Sequence, residues 1–311
     1  MQAVVYTRYG APDVLQLVDI PKPAPRNNEV LIRVHATTVT IGDVRMRSFT
    51  VPRGQWLFAR LYLGVLKPRR PILGMELAGE IESIGSAVTR FQVGDAVFAS
   101  TFATNFGGYA EYKCMKEDGL LAIKPANLTF AEAAAAVGGG ISALRCLQRG
   151  KLQPGQTILI YGASGSIGTN AVQLARNHFG VEVTGVCSTA NLALVKSLGA
   201  SEVIDYTRED FTQRGAIYDV VFDAVAKFPP ARAKHALKPG GVYLNAHRDT
   251  DAGAGLTMQQ ELLLLKELLE AGKLRPVIDR SYSLAQIVAA HRYVETGHKK
   301  GNVVITVTPA P

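Results

Sequence analysis

The sequence predicts an α/β protein that joins a doubly wound parallel sheet to a β-rich domain. Three observations lead to this prediction. Short alternating apolar runs, separated by Pro and Gly, fill residues 1–125. From residue 126, strand-like and helix-like segments alternate, and a β-type run at 157–161 enters a glycine-rich turn that opens a helix. We therefore expect two domains, 1–125 completed by 276–311, and 126–275.

Composition and charge indicate a soluble, cytoplasmic protein. Of 311 residues, 47% are hydrophobic and 19% charged. No run approaches the roughly 18 apolar residues of a membrane span. The N-terminus reads as a strand without a secretory signal, and Cys114, Cys146 and Cys187 suit reduced thiols. The net charge of +8 is largely spread out and no basic run alternates with aromatic residues, so we expect no nucleic-acid partner.

The β-rich domain is predicted to contain short strands at 3–7, 15–19, 29–40, 77–84, 95–98 and 108–113. An apolar segment at 55–66, followed by Lys67-Pro68-Arg69-Arg70-Pro71, interrupts this pattern and is predicted to be a helix. It could be a lid over an apolar substrate, a cover for the β-rich domain, or an interfacial membrane contact. Stable membrane insertion is not expected because the segment is too short to span a bilayer.

The second domain begins with a capping box, Thr129 with Glu132, before an alanine-rich helix. Gly138-Gly139-Gly140 is predicted to interrupt this helix, either at a cofactor or substrate wall or at a tight bend. Further elements are predicted in the order listed: strands 157–161, 182–186, 202–204, 220–224 and 241–244, helices 166–178, 191–198, 261–269 and 284–296, and a final strand 302–307.

The glycine-rich turn predicts a dinucleotide phosphate site. It reads Gly162-Ala163-Ser164-Gly165-Ser166-Ile167-Gly168, with Ala163 at the first position of G-x-G-x-x-G. Gly165 lets the backbone approach a pyrophosphate, and Gly168 lets the helix pack against the strand. The helix N-terminus offers unpaired N–H groups to the phosphates. An ordinary glycine-rich turn is the alternative.

A series of motifs recurs in order along the chain: Val39-Thr40-Ile41-Gly42-Asp43, 74–79, 91–98, 107–112, the glycine-rich turn, 198–200, Asp205-Tyr206, 219–225 and 237–241. Together they resemble the zinc-independent quinone oxidoreductase-like branch of the medium-chain dehydrogenase/reductase superfamily. The resemblance implies a GroES-like catalytic domain, a Rossmann cofactor domain and an active-site cleft between them.

The resemblance also implies a metal-free enzyme. Zinc-dependent relatives place ligands where Thr40, Met75 and Gly139 stand here, and of their four-cysteine lobe only Cys114 remains. Without a Lewis acid, hydride transfer to a quinone or an α,β-unsaturated carbonyl, a small apolar electrophile, fits best. A zinc-free alcohol or carbonyl reductase, and a catalytically weak NADPH-binding sensor protein, are alternatives.

NADPH is the expected cofactor. No Asp or Glu follows the strand at 182–186 to hold a ribose 2′-OH, and Ser188 could bond a 2′-phosphate. The resemblance adds Tyr206 and Asn191, although relatives often carry a basic residue at or beside Asn191, for which Arg208 or Lys196 could compensate. Its remaining expected cofactor contacts are Ala224, Val225, Asn245 and Asn302.

Three residues are predicted to face the chemistry. The Thr40 hydroxyl could bond the nicotinamide carboxamide or the substrate oxygen, Arg45 could steady an enolate, and Tyr109 could line the cleft. Alternatively, Thr40 is satisfied locally and Arg45 lies in solvent. The resemblance makes Asp43 a structural group paired with Arg47.

The segment 245–260 is shorter than in relatives, and 249–255 is a poor strand. We expect the cofactor sheet to lack a sixth strand. A homodimer is compatible with the sequence, but one formed by pairing edge strands is not expected.

Overall fold

The computed structural model describes residues 1–51, 54, 56–250 and 256–307, and of Tyr62 only the backbone. The chain divides into two compact units. The first is Met1–Val137 with the chain from Ile278 onward, and the second is Gly138–Val277. The first boundary, between Val137 and Gly138, lies inside the helix Phe130–Arg149. It comes later in the chain than the boundary expected at residue 125.

The first unit is β-rich. Its strands, numbered along the whole chain, are β1 (Gln2–Val5), β2 (Gln16–Asp19), β3 (Glu29–Thr38), β4 (Glu76–Ile84), β5 (Ala96–Ser100), β6 (Tyr112–Lys116), β7 (Leu121–Ile123), β13 (Ile278–Ser283) and β14 (Asn302–Thr306). Its helices are α1 (Ile41–Ser48), α2 (Trp56–Leu63) and α8 (Ile287–Glu295).

The long strand β3 organises this unit. It pairs antiparallel with β4, β6 and β14, and Val304 lies opposite Thr38. The main sheet runs β13-β14-β3-β4-β5-β7, with β6 also on β3, while β1 and β2 form a separate ribbon. Val30, Ile32 and Val34 of β3 are fully buried in the core. The end of the chain thus completes the sheet that its first hundred residues begin.

One strand differs from its prediction. The strand expected at 108–113 runs instead from Tyr112 to Lys116. The residues before it form a turn, in which the N–H groups of Gly107 and Tyr109 donate to the Leu73 carbonyl and Gly107 adopts a left-handed φ of 107°. Alternation of residue types did not reveal this turn because its hydrogen bonds go to a distant loop.

The second unit is a parallel sheet with helices. Its strands are β8 (Thr157–Tyr161), β9 (Glu182–Cys187), β10 (Glu202–Asp205), β11 (Tyr218–Asp223) and β12 (Leu237–Asn245). Its helices are α4 (Ser166–Asn177), α5 (Leu192–Ser197), the short α6 (Pro230–Ala233) and α7 (Met258–Glu270).

The strand order β10-β9-β8-β11-β12 is that of a doubly wound nucleotide-binding sheet, so the predicted fold class is confirmed. Strand order reverses between β8 and β11, where ligands of such sheets bind at the carboxyl edge. Within the described ranges this sheet has five strands. Most of the segment predicted to be a poor strand, residues 251–255, lies outside the described residues.

The helix α3 (Phe130–Arg149) is continuous, so the predicted interruption at Gly138-Gly139-Gly140 is wrong. A Cβ atom on Gly139 would lie 2.4 Å from the Ser166 Oγ, and one on Gly140 would lie 2.8 Å from Leu265. These glycines therefore let α3 pack closely against α4 and α7. The predicted capping box is confirmed: the Thr129 N–H donates to the Glu132 carboxylate at 2.8 Å.

Among the described residues, α3 alone is long and apolar enough to cross a membrane by length and composition. It is 67% buried in the protein, as expected for a core helix.

Candidate functional site

The glycine-rich turn lies at the carboxyl end of β8 and is anchored to the neighbouring strand. The N–H groups of Gly162 and Ala163 both donate to the Val186 carbonyl at 3.0 Å. Gly162 has a left-handed φ of 79°, and a Cβ atom there would lie 2.6 Å from Val225. Residue 162 must therefore be glycine for the turn to form beside Val225.

Two further glycines of the turn have different roles. A Cβ atom on Gly168 would lie 2.2 Å from the Gly162 carbonyl oxygen, which confirms that this glycine permits close packing of α4 against β8. At Gly165, the N-cap of α4, a Cβ atom would make one ordinary van der Waals contact, 3.6 Å from the Gly162 carbonyl oxygen, so the fold itself does not require a glycine there. The N–H groups in the first turn of an α-helix have no acceptor within that helix, and the first turn of α4 begins directly after Gly165. This helix start can accept an anion.

The structure brings three predicted cofactor residues together at the same edge. The Asn191 amide donates to the Ser164 hydroxyl at 3.0 Å and to the Ser188 hydroxyl at 3.3 Å. Asn191 is buried, and its side-chain oxygen makes no hydrogen bond within the described residues. Three small polar groups thus lie where β8 and β9 end.

A carboxylate stands at this edge at the last residue of β10, opposite Cys187 of β9. Asp205 accepts hydrogen bonds from the hydroxyls of Thr189 and Thr207, which lower its pKa below the ordinary value. Arg208 lies 3.7 Å from Asp205. Tyr206 is 48% exposed, and its N–H donates to the Cys187 carbonyl at 3.1 Å. Tyr206 therefore presents a ring at the edge where Ser188 lies.

Lys196 does not belong to this edge. Its ammonium donates to the Ser201 carbonyl, immediately before β10 begins. Since β9 and β10 are parallel, Ser201 lies level with the start of the sheet, and its N–H donates to Val183. Of the two cations predicted to compensate at Asn191, Lys196 therefore lies away from this edge, whereas Arg208 lies beside Asp205.

A buried aspartate organises the other side of the switch point. Asp223, which ends β11, accepts hydrogen bonds from the N–H groups of Val225 and Phe228 at 3.1 and 2.7 Å. The Asn245 amide donates to it at 3.5 Å, and Ala224 donates to the Tyr161 carbonyl. The sequence interpretation missed Asp223, although an acid at the end of an apolar strand was a usable signal.

In the first unit, Thr40 and Asp43 form a capping box at the start of α1. The Thr40 hydroxyl donates to the Asp43 carboxylate at 2.6 Å, and the Asp43 N–H donates back to that hydroxyl at 3.1 Å. The Gly74 N–H donates to the other carboxylate oxygen at 2.9 Å. Burial raises the Asp43 pKa to about 6, against the opposing effect of these hydrogen bonds.

The predicted pairing of Asp43 with Arg47 is wrong. The fully buried Arg47 forms an ion pair with Glu295 of α8 and donates to the Gly10 carbonyl. The Asp43 oxygens are already taken by Thr40 and Gly74. Arg47 therefore links α1 to α8, while Arg45, on the same helix, is half-buried.

Tyr109 and Asn302 are both buried in the first unit. The Tyr109 ring meets the His291 ring edge-on, with centroids 5.7 Å apart. Burial, followed by the nearby Asp43 charge, raises the Tyr109 pKa well above its ordinary value. Tyr109 thus stands in the core of its unit, and Asn302 begins β14 opposite Ile278.

The positions that carry zinc ligands in relatives are filled otherwise. The Met75 sulfur lies 3.5 Å from the Thr40 hydroxyl, and a Cβ atom on Gly42 would lie 2.7 Å from Met75. Gly139 packs against α4. No group of three or more His, Cys, Asp or Glu side chains in the described part of the chain could hold a metal ion.

Two family models match the chain: an alcohol dehydrogenase GroES-like domain at residues 26–125 and a zinc-binding dehydrogenase domain at 198–305. The chain is 34% identical to a 2-methylene-furan-3-one reductase of Solanum lycopersicum and 33% identical to an NADPH-dependent alkenal/one oxidoreductase of Arabidopsis thaliana. Each alignment covers 99% of this chain and 80% of the relative. The quinone oxidoreductase structure from Coxiella burnetii is 31% identical, with a TM-score of 0.84 over 99% of both chains.

A GroES-like domain followed by a dinucleotide-type parallel sheet defines the medium-chain dehydrogenases and reductases. The chain belongs to the quinone oxidoreductase-like branch of this superfamily, as its full-length similarity to the relatives above shows.

Proposed function

We propose that the protein is an NADPH-dependent, metal-free oxidoreductase that reduces quinones or α,β-unsaturated carbonyls. The observation that carries the proposal is the carboxyl edge of the second unit. There, the start of α4 at Gly165 directly follows Ser164 of the Ser164–Asn191–Ser188 cluster, and the fold itself does not require a glycine at residue 165. The names of the relatives support the substrate class, since they include a quinone oxidoreductase and an NADPH-dependent alkenal/one oxidoreductase.

The residues of this edge fit a dinucleotide. The start of α4, from Gly165 to Gly168, would hold the pyrophosphate. The Ser188 hydroxyl would bond a ribose 2′-phosphate, with Arg208 as the nearby cation and the Tyr206 ring beside the adenosine. Ala224, Val225 and Asn245 would border the remaining cofactor. When bound, the nicotinamide ring supplies the hydride.

The substrate side depends on groups that stabilise a developing enolate oxygen. The Thr40 hydroxyl proton is already donated to Asp43, so Thr40 can donate to a substrate only at the expense of its bond to that carboxylate. We therefore place Arg45 ahead of Thr40 in this role. Tyr109 is not proposed to contact the substrate, because its side chain is fully buried in the core.

The metal-free part of the proposal depends on residue chemistry. Glycine has no ligating side chain, and Met75 and Thr40 are engaged with each other. Three protein ligands of a catalytic zinc are thus replaced by groups unsuited to that ion. The three cysteines carry no disulfide, which supports the proposed cytoplasmic location.

The test is NADPH and NADH oxidation against a panel of quinones, enones, simple ketones and alcohols, with metal content measured on the same sample. We expect NADPH-linked reduction of quinones or enones without stoichiometric metal. Turnover of ketones alone would favour the carbonyl-reductase alternative, and tight NADPH binding without any turnover would favour the sensor alternative.

Gly165→Ala is expected to weaken NADPH binding at least about tenfold while leaving stability unchanged, because its methyl group would occupy the space proposed for the pyrophosphate. Gly168→Ala is the matched variant. Its Cβ would overlap the Gly162 carbonyl, so it should destabilise the second unit by about 1–3 kcal/mol. Isothermal titration and urea unfolding separate the two effects. Normal NADPH affinity in Gly165→Ala would refute the proposed pyrophosphate position.

Ser188→Asp is expected to lower the NADPH-to-NADH ratio of kcat/KM at least about tenfold, because a carboxylate there repels a 2′-phosphate and can accept a bond from a 2′-OH. Ser201→Asp adds the same charge at the opposite edge of the sheet and should leave the ratio unchanged. Steady-state kinetics with both cofactors provide the measurement. Equal ratios in wild type and Ser188→Asp would show that Ser188 does not face the 2′ position.

A further inference from the structure

The helix α2 presents an apolar face that the described residues leave uncovered. Leu57, Phe58 and Leu61 are 67, 74 and 54% exposed, and Leu66, just beyond the helix, is 93% exposed. Clusters of large exposed apolar side chains on one short segment are unusual in soluble domains and mark an interaction surface.

The opposite side of α2 is fixed to its unit. The Arg60 guanidinium lies 3.9 Å from the centroid of the Phe49 ring and 5.0 Å from that of Tyr9. Trp56 meets Phe49 edge-on at 6.2 Å, and the Tyr9 hydroxyl donates to the Gly64 carbonyl at 3.2 Å. These contacts fix one side of the helix to the first unit.

The surroundings of this face are strongly basic. Residues 44–75 contain seven Arg or Lys and no Asp or Glu, and of these Arg47 is buried in its ion pair with Glu295. Lys67 and Arg69 follow the helix directly and are exposed. A surface cavity of about 710 Å³ adjoins them, lined by Arg69, Arg70 and Lys113 among others, and none of its lining residues is acidic. An apolar face bordered by cations is complementary to a partner with an apolar interior and an anionic outer layer.

We propose that α2 and the basic residues after it form a docking surface for an anionic phospholipid bilayer. Leu57, Phe58, Leu61 and Leu66 would enter the boundary between headgroups and acyl chains. Lys67 and Arg69 would contact lipid phosphates, and the basic cavity can receive a headgroup. The proposal concerns the surface of the first unit and does not depend on the cofactor or substrate proposed above.

Trp56 is the only tryptophan of the chain and is 51% exposed at the start of α2, so its emission reports on the environment of this helix. The full-length protein without nucleotide is titrated with vesicles of phosphatidylcholine alone or mixed with phosphatidylglycerol. We expect a blue shift of Trp56 emission and quenching by lipids with brominated chains, mainly with the anionic vesicles. Added salt should weaken binding, because the basic side chains act through screened charges.

Variants separate the apolar and charged contributions. Leu57→Ser/Phe58→Ser should reduce vesicle partitioning at least about tenfold, and Lys67→Gln/Arg69→Gln should do so only with anionic vesicles. Matched controls are Val93→Ser, an apolar side chain 60% exposed elsewhere in the unit, and Lys234→Gln/Lys273→Gln in the second unit. Both controls should partition as wild type.

Three results would overturn the proposal. One is the absence of any spectral change with anionic vesicles, and another is equal loss of binding in the controls. The third is a blue shift that rises with protein concentration without lipid, together with a doubled mass in sedimentation, which would show that a second copy covers the surface.

Discussion

Arg145→Met is expected to lower the free energy of unfolding of the second unit by about 3–5 kcal/mol. The Arg145 Nε donates to both Glu261 carboxylate oxygens, at 2.9 and 2.7 Å, and a second guanidinium nitrogen donates to the Thr250 carbonyl at 3.1 Å. Glu261 has no exposed surface. Removal of the guanidinium would leave a buried carboxylate without its counter-ion, which costs far more than the pair contributes.

Two further variants make this result diagnostic. Arg145→Met/Glu261→Met removes both charges together and should recover most of the lost stability. Lys266→Met breaks an exposed pair with Glu270 on the same helix and should change stability by no more than about 0.5 kcal/mol. Urea unfolding followed by circular dichroism provides the measurement. If the double variant were as unstable as Arg145→Met, packing of α3 on α7 would be responsible and not the unpaired charge.

His291→Leu is expected to remove a large part of the acid sensitivity of the first unit. His291 is fully buried, and neither ring nitrogen has a hydrogen-bond partner among the described residues. Burial, followed by the Arg47 charge, lowers its pKa from 6.5 to about 3. Between pH 6.5 and pH 3, His291 is therefore protonated in the unfolded chain but neutral in the folded protein. The free energy of unfolding falls as the pH drops through this range, by up to about 1.4 kcal/mol per pH unit.

Asp43 acts in the opposite direction in part of this range. Its pKa is raised from 3.8 to about 6, so its contribution to stability falls as pH rises through that interval. The comparison of wild type with His291→Leu cancels this contribution, because Asp43 is present in both. His298→Gln, at an exposed histidine, serves as control and should leave the pH slope unchanged. Parallel pH slopes of wild type and His291→Leu would show that His291 accepts a proton in the folded state.

Features encoded within a few residues could be predicted. The capping box at Thr129 needs only the side chains and N–H groups of two residues three positions apart. The role of Gly168 follows from the geometry of any helix that starts beside the strand it follows. The parallel pairing of the strands in the second unit follows from alternating βα segments and the handedness of their connections.

Features that depend on distant partners could not be predicted. From the sequence, Gly139 and Gly140 were predicted to interrupt the helix. In the structure the helix is continuous, and α4 and α7 pack too closely against these two positions for a side chain. Arg47 was expected to pair with its neighbour Asp43, whereas its actual partner, Glu295, is 248 residues away. Tyr109 was predicted to line a cleft because it belongs to a motif of the family. In the structure it is buried by contacts with β1 and α8, which are distant in the sequence.

The cofactor edge shows both kinds of information at one site. The sequence alone determined that a glycine-rich turn opens α4 and that no acid follows β9, because adjacent residues specify both. Only the tertiary structure decided that Ser164, Ser188 and Asn191 form one hydrogen-bonded cluster and that Lys196 lies at the other edge. The physical reason is strand register. The pairing of β8 with β9 and of β9 with β10 determines which side chains share an edge of the sheet, and these pairings are contacts between residues distant in the sequence.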